Sequence, residues 1–117
     1  MPSRRFRDPI VWQKAHQWVL DIYRFTDCFP GKEQFGLTSQ LRRAAISIPA
    51  NIAEGFTRKG NSDKGRFYNM AQGSVEECRY YLILAQDLNY GDTIQLEKDL
   101  EGISRLLAAY AKTLSRP

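Results

Sequence analysis

Apolar side chains recur along this chain in steps of four and three residues, and the pattern restarts four times. Val11, Ala15, Trp18, Ile22, Phe25 and Phe29 form the first series, and Leu37, Leu41, Ala44, Ile48 and Ile52 the second. Phe67, Ala71, Ser74, Cys78, Tyr81, Ala85 and Leu88 form the third, and Leu96, Leu100, Ile103, Leu107, Tyr110 and Leu114 the fourth. A mean step of about 3.5 residues keeps one stripe on one side of an α-helix and coils neighbouring helices left-handedly. No segment shows the two-residue alternation of a half-buried strand. The 117 residues leave room for one domain around one core.

Turn residues set the expected boundaries. Asp8 and Pro9 suit the start of the first helix, as a cap and a first-turn proline, and Pro30-Gly31 ends it. Gly55 is the expected terminator of the second, and Ser62 or Asp63 the cap of the third. Tyr90-Gly91 closes that helix with Gly91 in the left-handed position, and Asp92 caps the fourth with Gln95 as its capping-box partner. Helices are thus expected at roughly 9–28, 35–55, 63–89 and 93–114. Pro49 lies inside the second; because the stripe continues in phase, a kink is expected there and not a break. Short connections make successive helices antiparallel. The fold class is all-α: one left-handed, up-down-up-down four-helix bundle spanning 1–117.

Two helices carry more apolar surface than a monomeric bundle needs. Ile46, Ala50 and Ala53 lie about 150° from the centre of the second stripe. Met70, Gly73, Tyr80 and Leu84 lie off the main seam of the third. These positions read as an oligomer interface, against the alternative of alanines tolerated at half-exposed sites. Helix two also has a polar row: Gln40, Arg43, Ser47, Asn51, Glu54 and Arg58. It fits either a solvated face or a hydrogen-bonded seam in which Arg43 meets Glu76 or Glu77.

Little here supports catalysis. His16, the one histidine, falls on the outer side of its helix with no carboxylate or thiol at helical spacing. Glu76 and Glu77 are adjacent and point about 100° apart, so they cannot share a site. Neither a phosphate loop nor a metal-ligand spacing occurs, and no cofactor or metal is expected. Cys28 and Cys78 lie outside any CxxC and read as two reduced, packed thiols of a cytoplasmic protein. The longest apolar run, Tyr80–Ala85, is far short of the roughly 18 residues of a membrane span, and no signal segment follows the basic start.

Charge is the more informative feature. The net charge is +4, from 17 basic and 13 acidic residues. Residues 1–80 carry +5 and residues 81–117 carry −1. One basic group is the arm Arg4, Arg5 and Arg7; the other is Arg42-Arg43 with Arg58-Lys59, Lys64 and Arg66 around the loop between helices two and three. Phe56, Phe67, Tyr68 and Asn69 stand nearby for stacking or hydrogen bonding. Arginine and lysine beside aromatic rings can follow a phosphate backbone and stack bases, although solubility alone could account for a charge this small.

Several runs resemble a known family: Ile10-Val11-Trp12-Gln13-Lys14-Ala15, Phe29-Pro30, Gly36 through Ala45, Ser47 through Gly55, and Gly73-Ser74-Val75-Glu76-Glu77. The central motif, RRAAxSIPxNIAEG, is long and specific. The chain is similar, from about Phe6 to Tyr90, to bacterial four-helix-bundle proteins first noticed as reading frames in intervening sequences of large-subunit ribosomal RNA genes. These resemble in turn the accessory protein of diversity-generating retroelements, a basic pentameric barrel that works with a reverse transcriptase and nucleic acid. The resemblance implies a homopentamer, strengthens the case for nucleic-acid binding, and transfers no catalytic residue. Within the motif, Pro49 fits a fixed kink, and Asn51 and Glu54 fit buried hydrogen-bonding roles beside it. The expected function is a non-enzymatic, oligomeric, RNA-binding or nucleic-acid-binding bundle; the alternative is a protein–protein adaptor whose partner is unknown.

Overall fold

A computed structural model describes residues 5–114. Helix α1 (Ile10–Thr26) starts where Pro9 is still extended and its carbonyl accepts from Trp12 and Gln13 N–H at 3.1 and 3.2 Å. Asp8 does not cap it, because its carboxylate accepts the Arg5 N–H instead, at 3.3 Å. The helix ends four residues before Pro30. The Thr26 hydroxyl donates back to the Ile22 carbonyl at 2.8 Å, and a turn links Phe29 to Thr26. A 3-10 turn, Gly31–Glu33, leads into α2 (Leu37–Thr57), which runs through Pro49 as one element. Helices α3 (Asn61–Asp87) and α4 (Ile94–Leu114) complete the order, and no strand occurs among the described residues.

Contacts between the helices fix an antiparallel arrangement. Thr26 meets Arg42 between α1 and α2, and Ser47 meets Ser74 between α2 and α3. Tyr68 lies by Tyr110, and Gln72 by Ser104, between α3 and α4. The result is a bundle of 48 × 22 × 19 Å in which α2 and α3 make the most extensive pair. The stripes supply most of its core, with Val11, Trp18, Ile22, Leu41, Ile48, Ile52, Leu100, Ile103 and Leu107 almost wholly buried; Val75 and Leu82 of α3, outside the expected third stripe, are buried with them. Cys78 is buried among them, and that burial pushes its thiol up to about 12, so it packs as a protonated group. Cys28 differs from expectation: it lies beyond α1 and is exposed.

Three boundary residues have other roles than their type suggests. Gly55 does not terminate α2, which continues to Thr57. It is buried, and a Cβ there would lie 2.9 Å from Tyr68 Cε1 and 3.1 Å from Phe67 Cβ, so α2 and α3 approach closely at this point. Gly91 is not left-handed; Asn89 is, at φ 62°, and it closes α3 with paired bonds from Tyr90 N–H to Ala85 and from Asn89 N–H to Gln86. Gly91 instead makes room for Phe25, whose Cε1 would lie 2.6 Å from a Cβ. At α4, Asp92 accepts the Ile94 N–H at 3.0 Å, but Gln95 turns to Asp99 and forms no capping box. Helix α3 starts after Gly60 with no side-chain cap, and Ser62 and Asp63 fall inside its first turn.

The two connections at this end are tied together. Tyr90 Oη donates to Glu33 at 2.7 Å, and the other Glu33 oxygen accepts the Leu37 N–H at 3.2 Å. These two bonds, that of Tyr90 first, hold the Glu33 carboxyl below its ordinary value of 4.5. A depressed folded-state value means that the stabilisation is complete above the ordinary value and fades as pH falls through the lower one. Tyr90→Phe removes the donor. The stability gap between wild type and this variant, measured by urea unfolding, should be widest near neutrality and narrow as pH drops below 4.5. A gap constant over that range would contradict the bond's role.

Glycine positions give a second test. Gly55→Ala should destabilise by about 1–3 kcal/mol through overpacking against Tyr68 and Phe67, despite the better helix propensity of alanine. Gly102→Ala, where a Cβ meets nothing within 4 Å, should stabilise by roughly 0.5–1 kcal/mol. Thermal and denaturant unfolding measure both; a gain at Gly55 would refute the close approach.

Candidate nucleic-acid interface

The antiparallel order puts the start of α1, the α2–α3 turn and the last turn of α4 at one end of the bundle. Residues 5–8, 54–66 and 110–114 at that end hold seven basic and three acidic side chains. Residues 21–43 and 84–99 at the other end hold five basic and seven acidic ones. The middle balances. The small net charge is therefore polarised along the 48 Å axis.

Arg5, Arg7, Arg58, Lys59, Lys64 and Arg66 all belong to the basic end. Arg4 lies outside the described residues. Arg58 pairs with Glu54 at 2.9 Å, and Arg66 with Asp63 at 3.1 Å. Both guanidinium carbons lie 4.6 Å from the centroid of the Phe67 ring. The Arg58 Nε is buried without a hydrogen-bond acceptor among the described residues. Lys64 donates to the carbonyls of Phe56 and Gly55 at 2.8 and 3.4 Å, capping the electronegative end of α2. Lys59 and Arg5 are exposed, with no side-chain hydrogen bond or ion pair among the described residues.

The expected grouping of Arg42 and Arg43 with that loop does not form. Arg58, just past the end of α2, lies sixteen steps along the chain from Arg42, an axial rise of about 24 Å. Arg42 is engaged with α1: it donates to Thr26 Oγ1 at 2.8 Å and Asp27 at 3.0 Å, and lies 4.4 Å from the Tyr23 ring centroid. Arg43 is exposed at that same far end. Phe67 and Tyr68 are buried and offer no open ring face, while Asn69 is exposed.

The polar row on α2 divides. Its middle is a seam: Ser47 Oγ accepts from Ser74 Oγ at 2.8 Å and from Asn51 Nδ2 at 2.9 Å. Gln40, Arg43 and Glu54 are exposed, and Arg43 makes no ion pair with Glu76 or Glu77, while Arg58 at the row's end is half-buried. Glu76 instead holds Arg79, which bridges to Glu101 of α4 at 2.7 Å. Asn51 is half-buried and bonded as expected, whereas Glu54 is exposed and bonded to Arg58. Of the proposed interface residues, Ile46, Ala50, Met70, Gly73 and Tyr80 are exposed, Ala53 is half-buried, and Leu84 packs against the chain's own core.

An aromatic cluster escaped the residue-type reading. Trp12 and His16 stack with centroids 5.0 Å apart and planes within 10°. Phe6 meets Trp12 edge-on at 5.4 Å, and the Arg7 guanidinium lies 5.6 Å from the Trp12 ring. The i, i+4 spacing of Trp12 and His16 was the available sign. Between α1 and α4 lies a groove of about 460 Å³, lined by Lys14, Trp18, Asp21, Lys98, Asp99 and Gly102 among others. Among the described residues, no three histidine, cysteine or acidic side chains group as a metal site, and no helix is long and apolar enough to cross a membrane.

The family model described as 23S rRNA-intervening sequence protein matches residues 7–109. None of the curated proteins matches. A crystal structure from Bacteroides thetaiotaomicron, titled as a protein of unknown function from the S23 ribosomal protein family, superposes with a TM-score of 0.80 at 24% identity, covering 88% of this chain and 96% of that one. At that identity the likeness carries the fold alone.

Proposed function

The chain belongs to the 23S rRNA-intervening sequence protein family, and on that premise we propose that it is a non-catalytic, self-associating, cytoplasmic bundle that holds RNA through phosphate contacts at its basic end. The observation that carries this reading is the gathering of Arg5, Arg7, Arg58, Lys59, Lys64 and Arg66 at one end while the charge inverts at the other. Such a surface recognises polyanions by counterion release, with little base-edge specificity. Arg42 and Arg43 were candidates for the same surface. Their place at the far end removes Arg42 to a bracing role and makes Arg43 a control.

Fluorescence anisotropy with a labelled RNA stem-loop tests it. Wild type should bind at low salt, with a log–log salt slope of about −2 to −4. The triple variant Arg7→Glu/Lys59→Glu/Arg66→Glu should lose about tenfold or more, and Arg43→Glu should bind as wild type does. Equal binding by all three proteins, or none by wild type, would reject the reading.

Self-association is proposed through the outer α2–α3 face. Ile46, Met70 and Tyr80 are 44%, 46% and 59% exposed there, beside Ala50 and Gly73. No intramolecular packing calls for glycine at Gly73, where a Cβ would meet nothing within 4 Å. A pentamer is the state that family resemblance implies. Sedimentation equilibrium at micromolar concentration should give a multiple of 13.5 kDa. A lone 13.5 kDa species would overturn self-association and leave this apolar face to the competing reading, a protein–protein adaptor.

A further inference from the structure

The basic end carries planar side chains as well as charge, and the two kinds of group serve different parts of a nucleic acid. We infer that Phe6, Trp12 and His16 form a stacking platform for unpaired bases, so that the RNA held at this end is single-stranded and not duplex. The inference rests on the nucleic-acid reading above and narrows it to a class of ligand.

Trp12 and His16 lie nearly parallel at 5.0 Å, a stack of two rings on the surface of α1. Phe6 closes one edge at 5.4 Å and is 38% exposed; His16 is exposed. Arg7 lies over the Trp12 ring, which also carries His16, so the exposed rings left for a base are His16 and Phe6, with a guanidinium close by for a backbone phosphate. The α1–α2 register widens this surface. Thr26 contacts Arg42 at the far end; Trp12 lies fourteen residues before Thr26, and Phe56 fourteen residues after Arg42. Equal steps along antiparallel helices bring Trp12 and Phe56 to one level, about 21 Å below that contact. Lys64 lies 5.6 Å from the Phe56 ring, which is half-buried. Phe67 and Tyr68, nominated from residue type, cannot serve: Phe67 is buried beneath Arg58 and Arg66, and Tyr68 is buried against Gly55.

Duplex RNA offers such a surface phosphates, ribose and minor-groove base edges but no open base face, because its bases are stacked inside. A single strand offers base faces, and aromatic side chains accept any of the four. One stacked base is worth about 5- to 150-fold in affinity. A surface built for phosphate alone has no use for half-exposed rings among its cations.

The test compares three labelled ligands of equal length on the intact protein: a single-stranded oligouridylate, the same backbone with abasic sites, and a duplex. Anisotropy should rank the single strand about fivefold or more above the other two. It should also quench tryptophan emission, and this quenching reports Trp12, since Trp18 is 1% exposed and donates its indole N–H to the Leu96 carbonyl. His16→Ala should lower single-strand affinity about fivefold and leave duplex affinity unchanged, while His16→Tyr restores it. Both substitutions fall on an exposed site, and Trp12, which packs on the core, is left in place. Equal binding of the three ligands with no quenching would overturn the platform while leaving the phosphate reading intact. Absence of binding by all three would overturn both.

Discussion

Gly55 has no side chain, and the Tyr68 ring fills the space that one would occupy. The α2–α3 turn of Arg58 to Gly60 is short, so the helices must converge as they enter it. Convergence brings Phe67 under the turn, and Arg58 and Arg66 then close over its ring from the two helices. It also brings Lys64 within reach of the Phe56 and Gly55 carbonyls in the last turn of α2. Three basic residues that are merely near in sequence thus become a fixed surface. A wider crossing would leave the same residues on a loose loop.

The field at this end comes from side chains and not from the helices. Two helices begin there and two end there, so the partial charges of their termini oppose one another. Three of the basic groups are also restrained: Arg58 by Glu54, Arg66 by Asp63 and Lys64 by carbonyl oxygens. Restraint reduces the side-chain entropy lost when a phosphate is bound. Lys59 and Arg5 remain unrestrained and can adapt to a flexible ligand.

Periodicity made the core legible. Most stripe residues are buried, although Leu88 at the end of the third is exposed, and α2 continues through Pro49 with the apolar spacing in phase across it. Punctuation misled where one residue type serves two purposes. Gly55 and Gly91 look like terminators, yet each makes room for a ring from another element, a contact that no local window contains. Asn89 takes the left-handed position that closes α3, and Gly91, two residues on, packs against Phe25. Arg42 lies early in α2 and Arg58 just past its last residue, so the helix between carries them to opposite ends. The Phe6–Trp12–His16 cluster was hidden for a related reason: Phe6 precedes the helix, and only the folded arm brings it to Trp12.

Net charge understates what such a chain can present. The proposed association face runs along the side of α2 and α3, whereas the cations and the aromatic arm sit at the end of the long axis, so one surface does not consume the other. Subunits associating side by side about an axis parallel to the helices would turn all their basic ends to the same face of the ring. The neutral middle and acidic far ends would then lie away from a bound strand. Each subunit would supply a few phosphate contacts and one stacking platform, and linked sites of modest strength hold a single strand through effective concentration. On this arrangement the charge of one chain need be no larger than it is, because the repeating unit that meets the ligand is the basic end and not the whole surface.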